Sequence, residues 1–360
     1  MKHRLLVKFL AVMLTLSMLG TVLSGCSEAV RNADDGKISI VATIFPQYDF
    51  ARRIAGDKAD IKMLLKPGME AHSYEPSPKD IIGISKCDLF LNVGGESESW
   101  LEAVLESADN PRMKVVSAMD CVEPIEEETS EGMQSREHHH EHGEHHHEHG
   151  EHEHELEHEE NEEHEEHEHE NESDSDHHHD GEEEEEYDEH VWTSPMNAIA
   201  IVNEINRALC ELDPYNADFY CKNTNEYVAE LMELDNSFRE VVAGSKRNLI
   251  IFGDRFPLLY FVREYGLDYY AAFPGCAAET EPSAATVAFL INTVKREKVP
   301  LVLYIELSSH KVADAIAEST GTGTAQFNTC HNISARDFSA GESYLSLMRA
   351  NVELLREALN

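Results

Sequence analysis

Apolar positions along the chain fall into short runs separated by stretches with the three-to-four spacing of helices. In the first third, Lys37–Thr43, Asp60–Leu65, Cys87–Val93 and Lys114–Ser117 are rich in branched and aromatic residues and read as strands. Tyr48–Ala55 and Trp100–Ser107 carry helical spacing, with Phe45-Pro46 breaking the first strand and Gly56-Asp57 closing the first helix. Ser77 can cap a helix that has Pro78 in its first turn. Further on, Met196–Leu212 is an amphipathic helix. After Asp213-Pro214, the segment Tyr215–Val242 runs with few breakers for roughly 40 Å at about 1.5 Å per residue. A second set follows: strands at Asn248–Phe252, Asp268–Ala272, Leu301–Ile305 and Ala325–Asn328, and helices at Phe256–Tyr265, Glu281–Lys298, Val312–Thr320 and Ser343–Leu359. Alternation of strand and helix in both halves predicts an α/β fold of two lobes, each a parallel sheet flanked by helices, with the long helix between them.

One region fits neither pattern. Between Glu137 and His190 the chain is almost entirely His, Glu and Asp, with Leu156 as its one large aliphatic residue up to the last histidines. Such a segment cannot bury enough surface to offset the entropy of ordering, which predicts a disordered loop. Dense imidazoles and carboxylates make a multi-site trap for Zn²⁺ and similar ions, whereas a purely solvating linker needs acid alone. The loop also accounts for the net charge of −41: residues 126–190 hold 31 acidic residues against Arg136, leaving −11 for the rest. Nucleic acid is excluded as a partner, because phosphate binding needs a basic surface.

Lys2, Arg4 and Lys8 precede an apolar run, Phe9–Leu23, that is short for a membrane span and has the form of an export signal. It ends in Leu23-Ser24-Gly25-Cys26, which resembles the bacterial lipobox. That resemblance implies cleavage before Cys26, lipidation of its thiol and a location on the outer face of a bacterial cell membrane. Six further cysteines (Cys87, Cys121, Cys210, Cys221, Cys276 and Cys330) fit three disulfides in an oxidising compartment, with free buried thiols as the alternative.

Three blocks carry chemistry. Pro67-Gly-Met-Glu-Ala-His72-Ser-Tyr-Glu-Pro-Ser-Pro78 puts His72 on a proline-bounded loop after a strand, where α/β proteins build sites. His190-Val-Trp-Thr-Ser-Pro195 closes the His-rich run, and Asn92-Val-Gly-Gly leads to Trp100-Leu-Glu. Together with Thr43-Ile-Phe-Pro46 and the C-terminal Gly341-Glu-Ser-Tyr-Leu-Ser-Leu-Met, they resemble the cluster A-I solute-binding proteins, the zinc and manganese receptors of bacterial ABC importers (the ZnuA and AdcA type). The resemblance covers nearly all of the chain after the signal. It implies a long backbone helix joining two lobes, a metal held in the interlobe cleft, and an acidic, His-rich insertion before the second ligand. It further implies His72 and His190 as the first two ligands and an ABC permease with its ATPase as partners. Zn²⁺ would be the transported ligand, with Mn²⁺ the alternative, and no enzymatic activity is implied.

The second half departs from that pattern. Gly253 stands where zinc members have their third ligand histidine, and Pro274 is near the glutamate of manganese members. Three replacements are available. His331 falls near the last family ligand, Glu279 lies in the loop that normally approaches the metal, and Asp254 could instead pair with Arg255 or cap the helix before Pro257. Cys276 and Cys330 are candidates for a bracing disulfide or for thiolate ligation, and His310 reads as a surface residue. The expected organisation is a signal peptide over 1–25, a tether over 26–36, an N-terminal lobe over 37–125 completed by 190–213, a His/Glu loop over 126–189, a linking helix over 214–244 and a C-terminal lobe over 245–360. A zinc hydrolase and a lipoprotein metal buffer or adhesin are the alternative functions, the former weakened by the lack of an HExxH motif.

Overall fold

The computed structural model describes residues 36–70, 74–108, 110–133, 186–275 and 282–360. The signal segment with Cys26, the body of the His/Glu run, His72, Cys276 and Glu279 lie outside the described residues.

The N-terminal sheet contains β1 (Ile38–Ala42), β2 (Ala59–Met63), β3 (Leu89–Asn92) and β4 (Lys114–Ser117), all parallel in the order β2-β1-β3-β4. The C-terminal sheet contains β5 (Leu249–Phe256), β6 (Asp268–Pro274), β7 (Leu301–Ile305) and β8 (Gly323–Phe327), parallel in the order β6-β5-β7-β8. Both orders reverse direction beside their first strand, and ligands in open α/β sheets bind beyond the strand ends at such switch points.

Helices α1 (Phe45–Ala55), α2 (Pro78–Lys86), α3 (Leu101–Ser107) and α4 (Pro195–Leu212) belong to the first half. The second half has α6 (Leu259–Tyr265), α7 (Ala284–Glu297), α8 (Lys311–Thr320), α9 (Ala335–Ala340) and α10 (Tyr344–Ala358). Between them runs α5 (Ala217–Ala243), of 27 residues. Its stripe of Tyr220, Tyr227, Leu231, Leu234, Phe238 and Val241 is buried, so one face serves both halves. The first strand ends before Phe45-Pro46 as expected, but the helix begins at Phe45 rather than Tyr48, so Pro46 does not separate the two. It occupies the first turn of α1, where a missing N–H costs nothing. α2 begins in a capping box: the Ser77 hydroxyl accepts from the Asp80 N–H and the Asp80 carboxylate from the Ser77 N–H.

One apolar cluster runs through both lobes, from Ile40 and Leu91 past Trp192 to Phe252, Phe327 and Tyr344. Directional bonds cross with it: Trp192 Nε1 donates to the Thr329 carbonyl at 2.9 Å, and the Tyr344 hydroxyl donates to the Trp192 carbonyl at 2.7 Å. A shared core of this kind opposes wide hinge motion, since opening it would expose apolar surface. None of the helices among the described residues is long and apolar enough to cross a membrane.

The three expected disulfides are not formed among the described cysteines: Cys87, Cys121, Cys210, Cys221 and Cys330 are free thiols. Cys87 and Cys330 are buried, where apolar packing is the usual role of a thiol.

Candidate metal centre

The carboxyl ends of the two sheets face a common cleft. Thr43, Ile44, Val93 and Glu98 line it from the first sheet, and Arg255, Pro257, Ile305 and Glu306 from the second. His331 lines the cavities on both sides of the cleft.

His190 enters from the first half. Its side chain is fully buried and its ring is held by Asp188, whose Oδ1 accepts the His190 backbone N–H at 2.7 Å and lies 3.1 Å from ring Nδ1. A carboxylate there places the proton on Nδ1 and turns Nε2 forward as the donor atom, the usual arrangement behind a metal-ligating imidazole. Asp188 is itself fixed, because the Tyr260 hydroxyl donates to its carbonyl at 3.0 Å. The root of the His/Glu insertion lies immediately beside this residue. Glu126 and Tyr187 form an antiparallel bridge, and the Asp188 N–H donates to the Ile125 carbonyl at 2.9 Å, so the chain returning from the insertion pairs with the segment that precedes it.

His331 enters from the second half, and its ring centroid is 5.1 Å from that of His190 and 5.0 Å from that of Trp192. The turn that presents it has Cys330 in the left-handed region, at φ 61°, which costs a non-glycine residue about 1–2 kcal/mol. Glu306 at the end of β7 holds that turn in place. Its carboxylate accepts from the Thr329 N–H at 2.7 Å, the Thr329 hydroxyl at 2.6 Å and the His331 N–H at 3.1 Å. Burial raises the Glu306 carboxyl above the ordinary range, and these hydrogen bonds work against that shift.

The next residue joins the lobes. Asn332 Nδ2 donates to the carbonyls of Lys66 at 2.9 Å and Met69 at 2.7 Å, and the Gly68 N–H donates to the Ile333 carbonyl at 2.8 Å. Arg255 adds a two-pronged contact to Glu70, both at 3.2 Å. The turn that leads into His72 is thereby bound to the turn that carries His331. Glu70 lines one cavity and Tyr74 the other, so the described chain on either side of His72 borders the cleft.

Gly253 has a steric reason. A Cβ there would lie 2.5 Å from the Ala313 Cα and 2.6 Å from its nitrogen, so the start of α8 occupies the space a ligand side chain would need. Asp254 next to it is engaged in the sheet: Oδ2 accepts from the Ile305 N–H at 3.1 Å and Oδ1 from the Arg255 N–H at 2.8 Å. It bridges β5 to β7 where a bulge between Phe252 and Arg255 interrupts the ladder, and it is not among the residues lining either cleft cavity. Gly275, four residues before Glu279 in the sequence, passes close to His190: a Cβ there would be 3.0 Å from the Phe256 carbonyl oxygen and 3.4 Å from His190 Cε1. His310 is half-exposed on α8, with Nδ1 2.8 Å from Asp314 Oδ2.

Among the described residues no three His, Cys, Asp or Glu side chains are grouped to hold a metal ion. The structure brings His190 and His331 together. Asp188, Glu306 and Asn332 went unnoticed in the sequence, and an Asp two positions before a candidate ligand histidine is the one signal that could have revealed any of them.

A family model described as zinc-uptake complex component A, periplasmic (ZnuA), matches residues 40–358. The high-affinity zinc uptake system protein ZnuA of Bacillus subtilis (strain 168) is 30% identical over 342 residues, covering 93% of this chain and 92% of its own. The zinc-binding lipoprotein AdcA of Streptococcus pneumoniae (strain ATCC BAA-255 / R6) is 28% identical over 345 residues, covering 96% of this chain and 60% of its own. The chain therefore spans about 60% of the length of that relative. The crystal structure of the Zn(II)-bound ZnuA-like domain of Streptococcus pneumoniae AdcA is 26% identical and superposes with a TM-score of 0.66, covering 90% of this chain and 99% of that one. These proteins are named for zinc binding and zinc uptake, not for an enzymatic activity. Matched over both sheets and the long helix between them, the chain belongs to the ZnuA family.

Proposed function

We propose that this protein is an extracytoplasmic receptor that captures Zn²⁺ in the cleft between its lobes and delivers it to an ABC permease for uptake. In this reading His72 and His190 bind from the first lobe and His331 from the second, with Glu279 as the oxygen donor. Asp254 serves as a strut of the second sheet. Three imidazoles and one carboxylate favour Zn²⁺ over Mn²⁺ and Mg²⁺, which prefer more oxygen donors. His331 takes over from the histidine that the contact between Gly253 and α8 rules out. Lipidation at Cys26 would keep the receptor at the outer face of the membrane, and the His/Glu insertion would gather ions beside the cleft.

The observation that carries this reading is the 5.1 Å approach of the His190 and His331 rings from opposite lobes, one of them oriented by a buried carboxylate. Zinc titration of His331→Ala in competition with a chelator tests it. The tight site should weaken by orders of magnitude; unchanged affinity and stoichiometry would remove His331 from the centre.

A further inference from the structure

Of the thiols given no role above, two lie side by side. Cys210 lies in the last turn of α4 and Cys221 in the first turns of α5, and their sulfurs are 3.8 Å apart. Cys210 is half-buried and Cys221 is exposed. Among the described residues no other two thiols are in contact. Cys87 faces the Met113 sulfur at 3.7 Å, Cys121 faces the Ser117 carbonyl at 3.2 Å, and Cys330 is buried in the core.

The connection between the helices holds the pair in place. Asp213 accepts from Asn216 Nδ2 at 2.6 Å and from the Tyr220 hydroxyl at 2.8 Å, which fixes the turn from both sides. Asn206, one turn before Cys210, touches both sulfurs: its Oδ1 is 3.6 Å from Cys210 and its Nδ2 3.8 Å from Cys221. A disulfide needs the sulfurs about 2.0 Å apart, and two thiols already in contact across a helix hairpin have a short distance left to close.

We propose that Cys210 and Cys221 form a disulfide that ties the end of α4 to the start of the long helix α5 when the protein meets a small-molecule disulfide oxidant. Cys221, the accessible partner, attacks one sulfur of the oxidant as thiolate and expels the first reduced thiol. Cys210 then attacks the Cys221 sulfur of the mixed disulfide and expels the second. Each cysteine gives up its proton, and the two electrons end on the two thiols released. Burial, with the neighbouring Cys221 adding to it, pushes the Cys210 thiol up to about 11, which suits the second, intramolecular step better than the first. The cross-link fixes the first turns of a helix whose buried face packs in the shared core, and it involves no residue of the metal centre.

The test is incubation of the full chain with oxidised glutathione, followed by digestion without reduction and mass spectrometry. A single intramolecular cross-link between the Cys210 and Cys221 peptides is expected. It should raise Tm by several degrees, an increase that dithiothreitol reverses and that Cys210→Ser and Cys221→Ser both lack. Zinc affinity should be equal in the oxidised and reduced forms. Glutathione left on Cys221 with Cys210 still free, a cross-link to another cysteine, or no loss of these two thiols would overturn the proposal.

Discussion

Asp188 grips His190 twice, through the backbone N–H at 2.7 Å and through ring Nδ1 at 3.1 Å. The carboxylate therefore sets both where the imidazole stands and which ring nitrogen is turned away from it. Asp188→Asn keeps the shape of that contact and removes the charge. It should weaken zinc binding roughly 10–100-fold at unchanged stoichiometry, the usual cost of losing the carboxylate behind a ligating histidine. Chelator competition reads the affinity, and a circular dichroism spectrum like that of the parent shows that the fold survives.

Restoring the family's histidine at Gly253 should fail. The Ala313 backbone lies within 2.6 Å of any Cβ placed there. Gly253→Ala already has to displace α8 and should cost about 1–3 kcal/mol, with Gly253→His costing more. Urea unfolding of both variants reads the loss. A stable Gly253→His protein that binds zinc without His331 would show that α8 yields easily.

Asn332 supplies two hydrogen bonds from the His331 turn to the Lys66 and Met69 carbonyls. Asn332→Ala removes two part-buried hydrogen bonds, at a cost of about 0.5–1.5 kcal/mol each. Because the same bonds tie together the turns that lead to His72 and His331, the variant should also release zinc faster. Stopped-flow release into excess chelator measures this, and a parental rate would confine Asn332 to stability.

Deleting 137–186 should leave the fold and the tight site intact while removing several weak sites. Glu126 and Tyr187 are paired in a bridge, so residues 127–136 remain to span the gap. Calorimetry separates the two classes of site. Loss of all binding in the deletion would locate the site in the insertion itself.

Acid should weaken the helix that follows the His72 loop. Burial alone would raise the Asp80 carboxyl, but hydrogen bonds from Lys62 at 2.6 Å and from Ser77 outweigh it and hold the group at about 2. The folded value lies below the unfolded value of about 3.9, so this stabilisation is complete above about pH 4 and is lost as pH falls toward 2. Asp80→Asn should cost about 1 kcal/mol at pH 6, solvent screening of the pair with Lys62 allowed for, and much less near pH 2.5. Equal losses at both pH values would mean the carboxylate charge is not what matters.

Both sheets and the long helix were legible in the sequence because each strand is a short apolar run and each helix keeps its spacing. The first helix starts at Phe45, three residues before the expected Tyr48, because a proline reads alike at a strand end and in a first helical turn. The six-residue helix α9 is too short to show a period. At the site, His190 was visible through the block that follows it, and the missing ligand at Gly253 was plain. The cause of that absence was hidden, because Ala313 lies sixty residues away and its approach is a property of packing. Glu306 and Asn332 escaped for the same reason: each acts on backbone groups that only the fold brings within reach.

The central claim is that histidines from both lobes share one zinc ion. A crystal structure of the full chain grown with a single equivalent of Zn²⁺ tests it directly. One ion is expected in the cleft, with imidazole nitrogens of His72, His190 and His331 about 2.0–2.1 Å away. Zinc bound without His331, or held only by the His/Glu run, would contradict it.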